Sequence, residues 1–79
     1  MKTRVVVTLK PSVLDPQGKA IEGALKSLGL EGVASVRQGK VFDIELAGIE
    51  GEAAERLLRE ACEKLLANTI VENYAIQHD

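Results

Sequence analysis

The stretch Val33-Ala34-Ser35-Val36-Arg37-Gln38-Gly39-Lys40-Val41-Phe42-Asp43-Ile44-Glu45-Leu46 decides the fold. Phe42, Ile44 and Leu46 alternate strictly with Val41, Asp43 and Glu45, the period of a strand with one buried and one wetter face. Val33 to Arg37 reads as a second strand before it, and Gln38-Gly39-Lys40 as the turn between the two. The expected unit is a hairpin in the middle of the chain.

Working outward, the segment before the hairpin contains a helix with both ends marked. Asp15 before Pro16 is a start signal: the carboxylate can accept from a free backbone N–H, and proline suits the first helical position. Ala20, Ile21, Ala24, Leu25 and Leu28 follow at three- and four-residue spacing, and Gly29 supplies the stop. Further upstream, Lys2 to Lys10 holds three adjacent valines, stiff at χ1 and suited to a pleated strand that Pro11 ends. Downstream, Ala53, Ala54, Leu57, Leu58, Ala61, Cys62, Leu65 and Leu66 form the apolar stripe of a helix from about Glu50 to Asn68. Glu52–Arg56, Glu55–Arg59 and Glu60–Lys64 support it in the favourable acid-first order. Asn68 is expected to close it in the left-handed conformation, and Ile70 to Gln77 reads as a final strand. The order is strand, helix, strand, strand, helix, strand. Short, right-handed connections fold that order as an α+β, ferredoxin-like β-α-β-β-α-β sandwich, with two helices on one face of an antiparallel sheet.

The chain has 79 residues, which allows a single domain over 1–79. A domain this small buries only roughly 60% of its unfolded surface and is marginal without a staple. One cysteine, Cys62, and one histidine, His78, exclude an internal disulfide and a cysteine/histidine metal site. Hydrophobic residues make up 46% of the chain and aromatics only 3%, so the core must be aliphatic. What the fold lacks in size a second copy can supply, and a homodimer or higher homo-oligomer is expected. Ten basic and twelve acidic residues give a formal charge of −2, which argues against a generic nucleic-acid or membrane surface. Base stacking on the sheet would need aromatics on its open face, and Phe42 and Tyr74 are all there is. No apolar run reaches the ~20 residues of a membrane span, and the N-terminus lacks the apolar stretch of a signal peptide. These features predict a soluble, cytoplasmic domain.

Catalytic patterns are scarce. His78 reads as a solvated residue near a fraying end, and Cys62, on the apolar stripe, as an inert core thiol. Asp43 and Glu45 share a strand face about 7 Å apart, the ordinary arrangement of an exposed face. Gly39-Lys40 lacks the longer glycine-flanked loop and following helix of a phosphate-binding motif. Gly18 is harder to explain. Glycine in a first helical turn costs about 1 kcal/mol against alanine, so something should approach the backbone there.

Leu9-Lys10, Val13-Leu14-Asp15-Pro16-Gln17-Gly18, Val36-Arg37-x-Gly39-Lys40 and Cys62-Glu63-Lys64-Leu65-Leu66-Ala67-Asn68, followed by Ile70, Glu72 and Tyr74, together resemble the PurS family. Thr69 stands where that pattern favours proline. The resemblance implies a small, dimeric, non-catalytic subunit of phosphoribosylformylglycinamidine synthase, in the fourth step of de novo purine synthesis. A PurQ-type glutaminase would release ammonia and a PurL-type synthetase would use it with ATP and magnesium. This chain would bind no cofactor or metal, would hold the two together and would support ammonia transfer. Asp15, Gln17, Gly18, Arg37 and Lys40, all within the matching blocks, are then expected at partner contacts. The competing class is a regulatory amino-acid-binding module similar to ACT domains, which share this element order. An acylphosphatase-like enzyme would want an arginine in the loop after the first strand, and Pro11 to Gly18 holds none.

Overall fold

The computed structural model describes residues 1–78. Its elements are β1 (Lys2–Leu9), α1 (Pro16–Ser27), β2 (Gly39–Glu45), α2 (Gly51–Ala61) and β3 (Glu72–His78), with α2 running on into a π-helical turn over Cys62–Leu66. The three strands form one antiparallel sheet in the order β2-β1-β3. The valine-rich β1 therefore takes the central place, where both of its edges are paired.

Register assigns every strand residue to a face. Val5 lies opposite Phe42 and Ile76, and Val7 opposite Lys40 and Tyr74. Val5, Val7, Cys62 and Ala67 are buried together, with Phe42, Ile44, Leu66, Tyr74 and Ile76 packed partly buried around them. Ala54 and Leu58, two turns and one turn before Cys62, are also fully buried on α2. The other face carries Arg4, paired with Asp43 at 2.7 Å, and a short apolar row of Val41, Val6 and Ala75.

The α+β class, the two helices and the antiparallel sheet agree with the sequence reading. The hairpin does not. Residues 33–37 pair with no strand of their own chain, and Gly39-Lys40, expected as a turn, open β2 in register with Thr8 and Val7. Gly39 is needed for close approach, since a Cβ there would stand 2.6 Å from the Val7 carbonyl oxygen. The chain passes straight from the 33–38 segment into the strand.

A second departure follows from the first. α2 covers the sheet, but none of the apolar side chains of α1 belongs to the core. Ile21 is 36% exposed and Leu28 73% exposed. With 33–38, α1 forms an arm that leaves the sheet between Leu9 and Gly39, and the molecule measures 49 × 25 × 15 Å.

The two helices end differently. α1 stops as expected: Gly29 has φ +79°, its N–H donates to Lys26 O, and Leu30 N–H donates to Leu25 O at 3.1 Å. Asn68 does not adopt the left-handed conformation; among the described residues only glycines have positive φ. Instead its carbonyl accepts from Val71 and Glu72, while its side-chain oxygen accepts from Ile70 N–H at 3.2 Å. His78 is no frayed tail either. It pairs with Thr3 at the end of β3, and its Nε2 lies 2.8 Å from Glu55 Oε2.

Candidate functional site

Four of the five residues singled out in the sequence meet where α1 begins. Asp15 is its N-cap, in extended backbone geometry, and Oδ1 accepts from Gly18 N–H at 3.0 Å. Its second oxygen accepts from Gln38 N–H at 2.6 Å, which ties the helix to the segment leading into β2. Two turns along the same side of α1, Glu22 Oε2 accepts from Val36 N–H at 2.9 Å. Two carboxylates thus hold alternate N–H groups of one segment.

That segment is what approaches Gly18. A methyl group at this position would overlap the Val36 carbonyl oxygen outright and stand 2.7 Å from Asp15 Oδ2. The glycine is accounted for within the chain. Gln17 Oε1 accepts from Gln38 Nε2 above the same contact. Arg37 Nη2 donates to the Lys10 carbonyl at 3.0 Å, so its guanidinium fastens the loop after β1 to the arm. Lys40 is the outlier. It extends over the sheet toward Glu72, with 3.6 Å between charged atoms, and Glu72 also accepts from Asn68 N–H at 2.6 Å.

Electrostatics follow the hydrogen bonds. The N–H groups of Gln38 and Gly18 hold the Asp15 carboxyl below its ordinary range, with a smaller contribution from the Arg37 charge. The Val36 N–H does the same for Glu22. A shallow cleft of about 330 Å³ lies beside this clasp, lined by Asp15, Gln17, Gln38, Lys40 and Glu72. Val7 and Leu9 line it as well, beside the carboxylates, amides and one ammonium. No histidine or cysteine lies in it. Cys62 is fully buried, and burial together with Glu63 raises its thiol above the ordinary range. Among the described residues no group of three or more His, Cys, Asp or Glu side chains is placed to hold a metal ion.

Sequence reasoning missed Glu22 and Gln38. Glu22 stands seven residues after Asp15, two turns along one side of a helix, and that spacing was the available signal. Gln38 holds Asp15 through its backbone N–H, which no residue type announces.

A sequence profile described as PurS: Phosphoribosylformylglycinamidine (FGAM) synthase matches residues 2–79. A phosphoribosylformylglycinamidine synthase subunit PurS of Bacillus subtilis is 45% identical over 73 residues, covering 92% of this chain and 86% of that one. The corresponding subunit of Synechocystis is also 45% identical, over 94% of this chain and 74% of its own length. Among solved structures, B. subtilis PurS superimposes with a TM-score of 0.86 at 43% identity, covering 96% of this chain and 94% of that one. A chain of the PurLQS structure from Thermotoga maritima superimposes with a TM-score of 0.88 at 33% identity, over 96% and 93%.

Proposed function

Because the chain belongs to the PurS family of phosphoribosylformylglycinamidine synthase subunits, we propose that it is the small assembly subunit of that ligase, joining a PurL-type synthetase to a PurQ-type glutaminase. The observation that carries this reading is the near full-length likeness to a chain of the T. maritima PurLQS structure. A regulatory amino-acid-binding module is not favoured by such relatives.

In this reading the chain performs neither half of the chemistry. Glutamine hydrolysis in such systems proceeds through an activated cysteine thiolate, and Cys62 is buried with its thiol held protonated. Phosphoryl transfer needs a phosphate cradle and metal-holding carboxylates, so ATP and magnesium are assigned to the synthetase. The subunit acts in the cytoplasm as a homodimer or higher oligomer and supports the passage of ammonia between two active sites. Gln17 and Lys40, exposed at the cleft, and the exposed Arg37 are its candidate partner contacts. Asp15 and Gly18 act through them, by fixing the segment on which Arg37 lies.

Reconstitution tests this. Added to the matching glutaminase and synthetase, the chain should raise glutamine-dependent product formation by a large factor, and ammonia-dependent formation far less. Arg37→Ala should weaken assembly while leaving the fold intact, because a multi-donor guanidinium is costly to lose from an interface. Equal dependence with glutamine and with free ammonia would place its action on the synthetase site and refute the coupling reading.

A further inference from the structure

β3 is an edge strand whose outer side is bare. In the order β2-β1-β3 its one neighbour is β1, and an antiparallel ladder turns alternate residues toward and away from that neighbour. Lys10 N–H donates to Val71 O at 2.8 Å just beyond the ladder, which sets the phase. Asn73, Ala75 and Gln77 therefore bond to Thr8, Val6 and Arg4, and Tyr74, Ile76 and His78 turn their N–H and C=O groups outward. The mutual bonds of Met1 and Leu46 give the same phase, since they turn Thr3, Val5 and Val7 toward β2. Among the described residues no bond reaches the outward groups of Tyr74 and Ile76. The edge is closed at one end only, where Glu72 N–H donates to Asn68 O at 2.7 Å.

Proteins usually blunt such an edge with lysine, proline or a bulge. β3 has none of them. Glu72-Asn73-Tyr74-Ala75-Ile76-Gln77-His78 contains no lysine or proline, and the register runs from Leu9–Glu72 to Thr3–His78 without a skipped residue. The flanks of the edge differ in charge. On the core face α2 runs above it: the Tyr74 hydroxyl donates to Glu63, and His78 Nε2 lies 2.8 Å from Glu55 Oε2. Arg59 pairs with Glu55 at 3.5 Å, which leaves Glu63 without an ion pair among the described residues. A recess of about 320 Å³ opens beside Glu63, lined also by Lys10, Glu72, Asn73 and Tyr74, so acids outnumber bases in it. On the open face Asn73, Ala75 and Gln77 are exposed and uncharged.

We propose that an extended segment of the synthetase adds to this edge as a further strand. Its backbone bonds to Tyr74, Ile76 and His78, and one of its lysine or arginine side chains enters the recess against Glu63. Strand addition draws affinity from main-chain bonds and specificity from recesses that take alternate side chains. The synthetase is the partner of matching charge, because it holds ATP and a phosphoribosyl substrate, and proteins surround such phosphates with lysine and arginine. The inference names a surface through which the assembly reading operates, and rests on that reading.

A full-length chain carrying an N-methyl group on the Ile76 amide, assembled by peptide ligation at Cys62, provides the test. The methyl group removes one outward donor and spares the ladder to β1, so melting and self-association should match the unmodified chain. The dissociation constant for the matching PurL-type synthetase should rise about 10-fold or more. Glu63→Lys should do the same by charge reversal, and Glu60→Lys, on the outer side of α2, should change nothing. Amide exchange reads the edge without any substitution. On addition of the synthetase, Tyr74 and Ile76 should slow by on the order of 100-fold, while Asn73, Ala75 and Gln77 are protected with or without it. Unslowed Tyr74 and Ile76 amides, or unchanged affinity in the methylated chain and in Glu63→Lys, overturn the strand addition while the assembly reading stands. Loss of glutaminase binding alone, or of self-association alone, assigns the edge to another occupant and overturns it equally. An unmodified chain that binds neither enzyme overturns both readings.

Discussion

Gly18→Ala should destabilise the protein although alanine is the better helix former. In an exposed helix the change gains about 1 kcal/mol, and Gly23, with nothing within 4 Å of a hypothetical Cβ, should behave that way. At Gly18 the new methyl overlaps the Val36 carbonyl oxygen, which must retreat by about 1 Å to reach van der Waals distance. The same movement draws Gln38 N–H from a 2.6 Å bond and Val36 N–H from a 2.9 Å bond. Overpacking of this kind costs typically 1–3 kcal/mol, and weakening two charge-assisted bonds adds to it, so the net loss is about 2–3 kcal/mol. For a domain of this size that lowers Tm by roughly 10–20 °C. Thermal melts at one fixed protein concentration measure it, because Tm varies with concentration in an oligomer. The reasoning fails if Gly18→Ala raises Tm as Gly23→Ala does.

Acid should loosen both the arm and the sheet. Asp15, Glu22 and Asp43 all have carboxyls held below their ordinary values by N–H or guanidinium donors, so the unfolded chain binds more protons than the folded one. Their contribution is complete above the ordinary carboxylate range and is lost as pH falls through the depressed folded values; denaturant midpoints should therefore decline below about pH 5. Cys62, fully buried with a raised pKa, should react with a thiol reagent orders of magnitude more slowly in the native protein than in denaturant. Rapid native labelling would contradict its place in the core.

Whatever depends on neighbours in the chain was legible from the residues. Asp15-Pro16 and Gly29 bound α1, the Phe42/Ile44 alternation made β2, and the stripe through Ala54, Leu58 and Cys62 made α2. The hairpin was misread because Gly39 looks the same in a turn and in a strand. Its reason is the Val7 carbonyl, supplied by a residue 32 positions earlier in the chain. The place of α1 escaped for a related cause: an apolar stripe states that it needs cover, not which surface provides it. The π-helical turn over Cys62–Leu66 has no local composition to announce it. At the clasp, the acids and the glycine could be picked out, but half of each bond comes from backbone N–H groups of the 36–38 segment.

The central place of β1 has a consequence for synthesis of the chain. Val5 leaves the ribosome well before its neighbours Phe42 and Ile76, which arrive 37 and 71 positions later. Thr3 must wait for His78. Closing loops of that length is entropically costly before any ladder bond offsets it. The most β-prone segment of the protein, Val5-Val6-Val7, therefore stays bare until β2 has been made and keeps one edge open until β3 follows. Its safety in that interval rests on what flanks it: Lys2, Arg4 and Lys10 place positive charge on both sides, which discourages the premature pairing of one nascent chain with another.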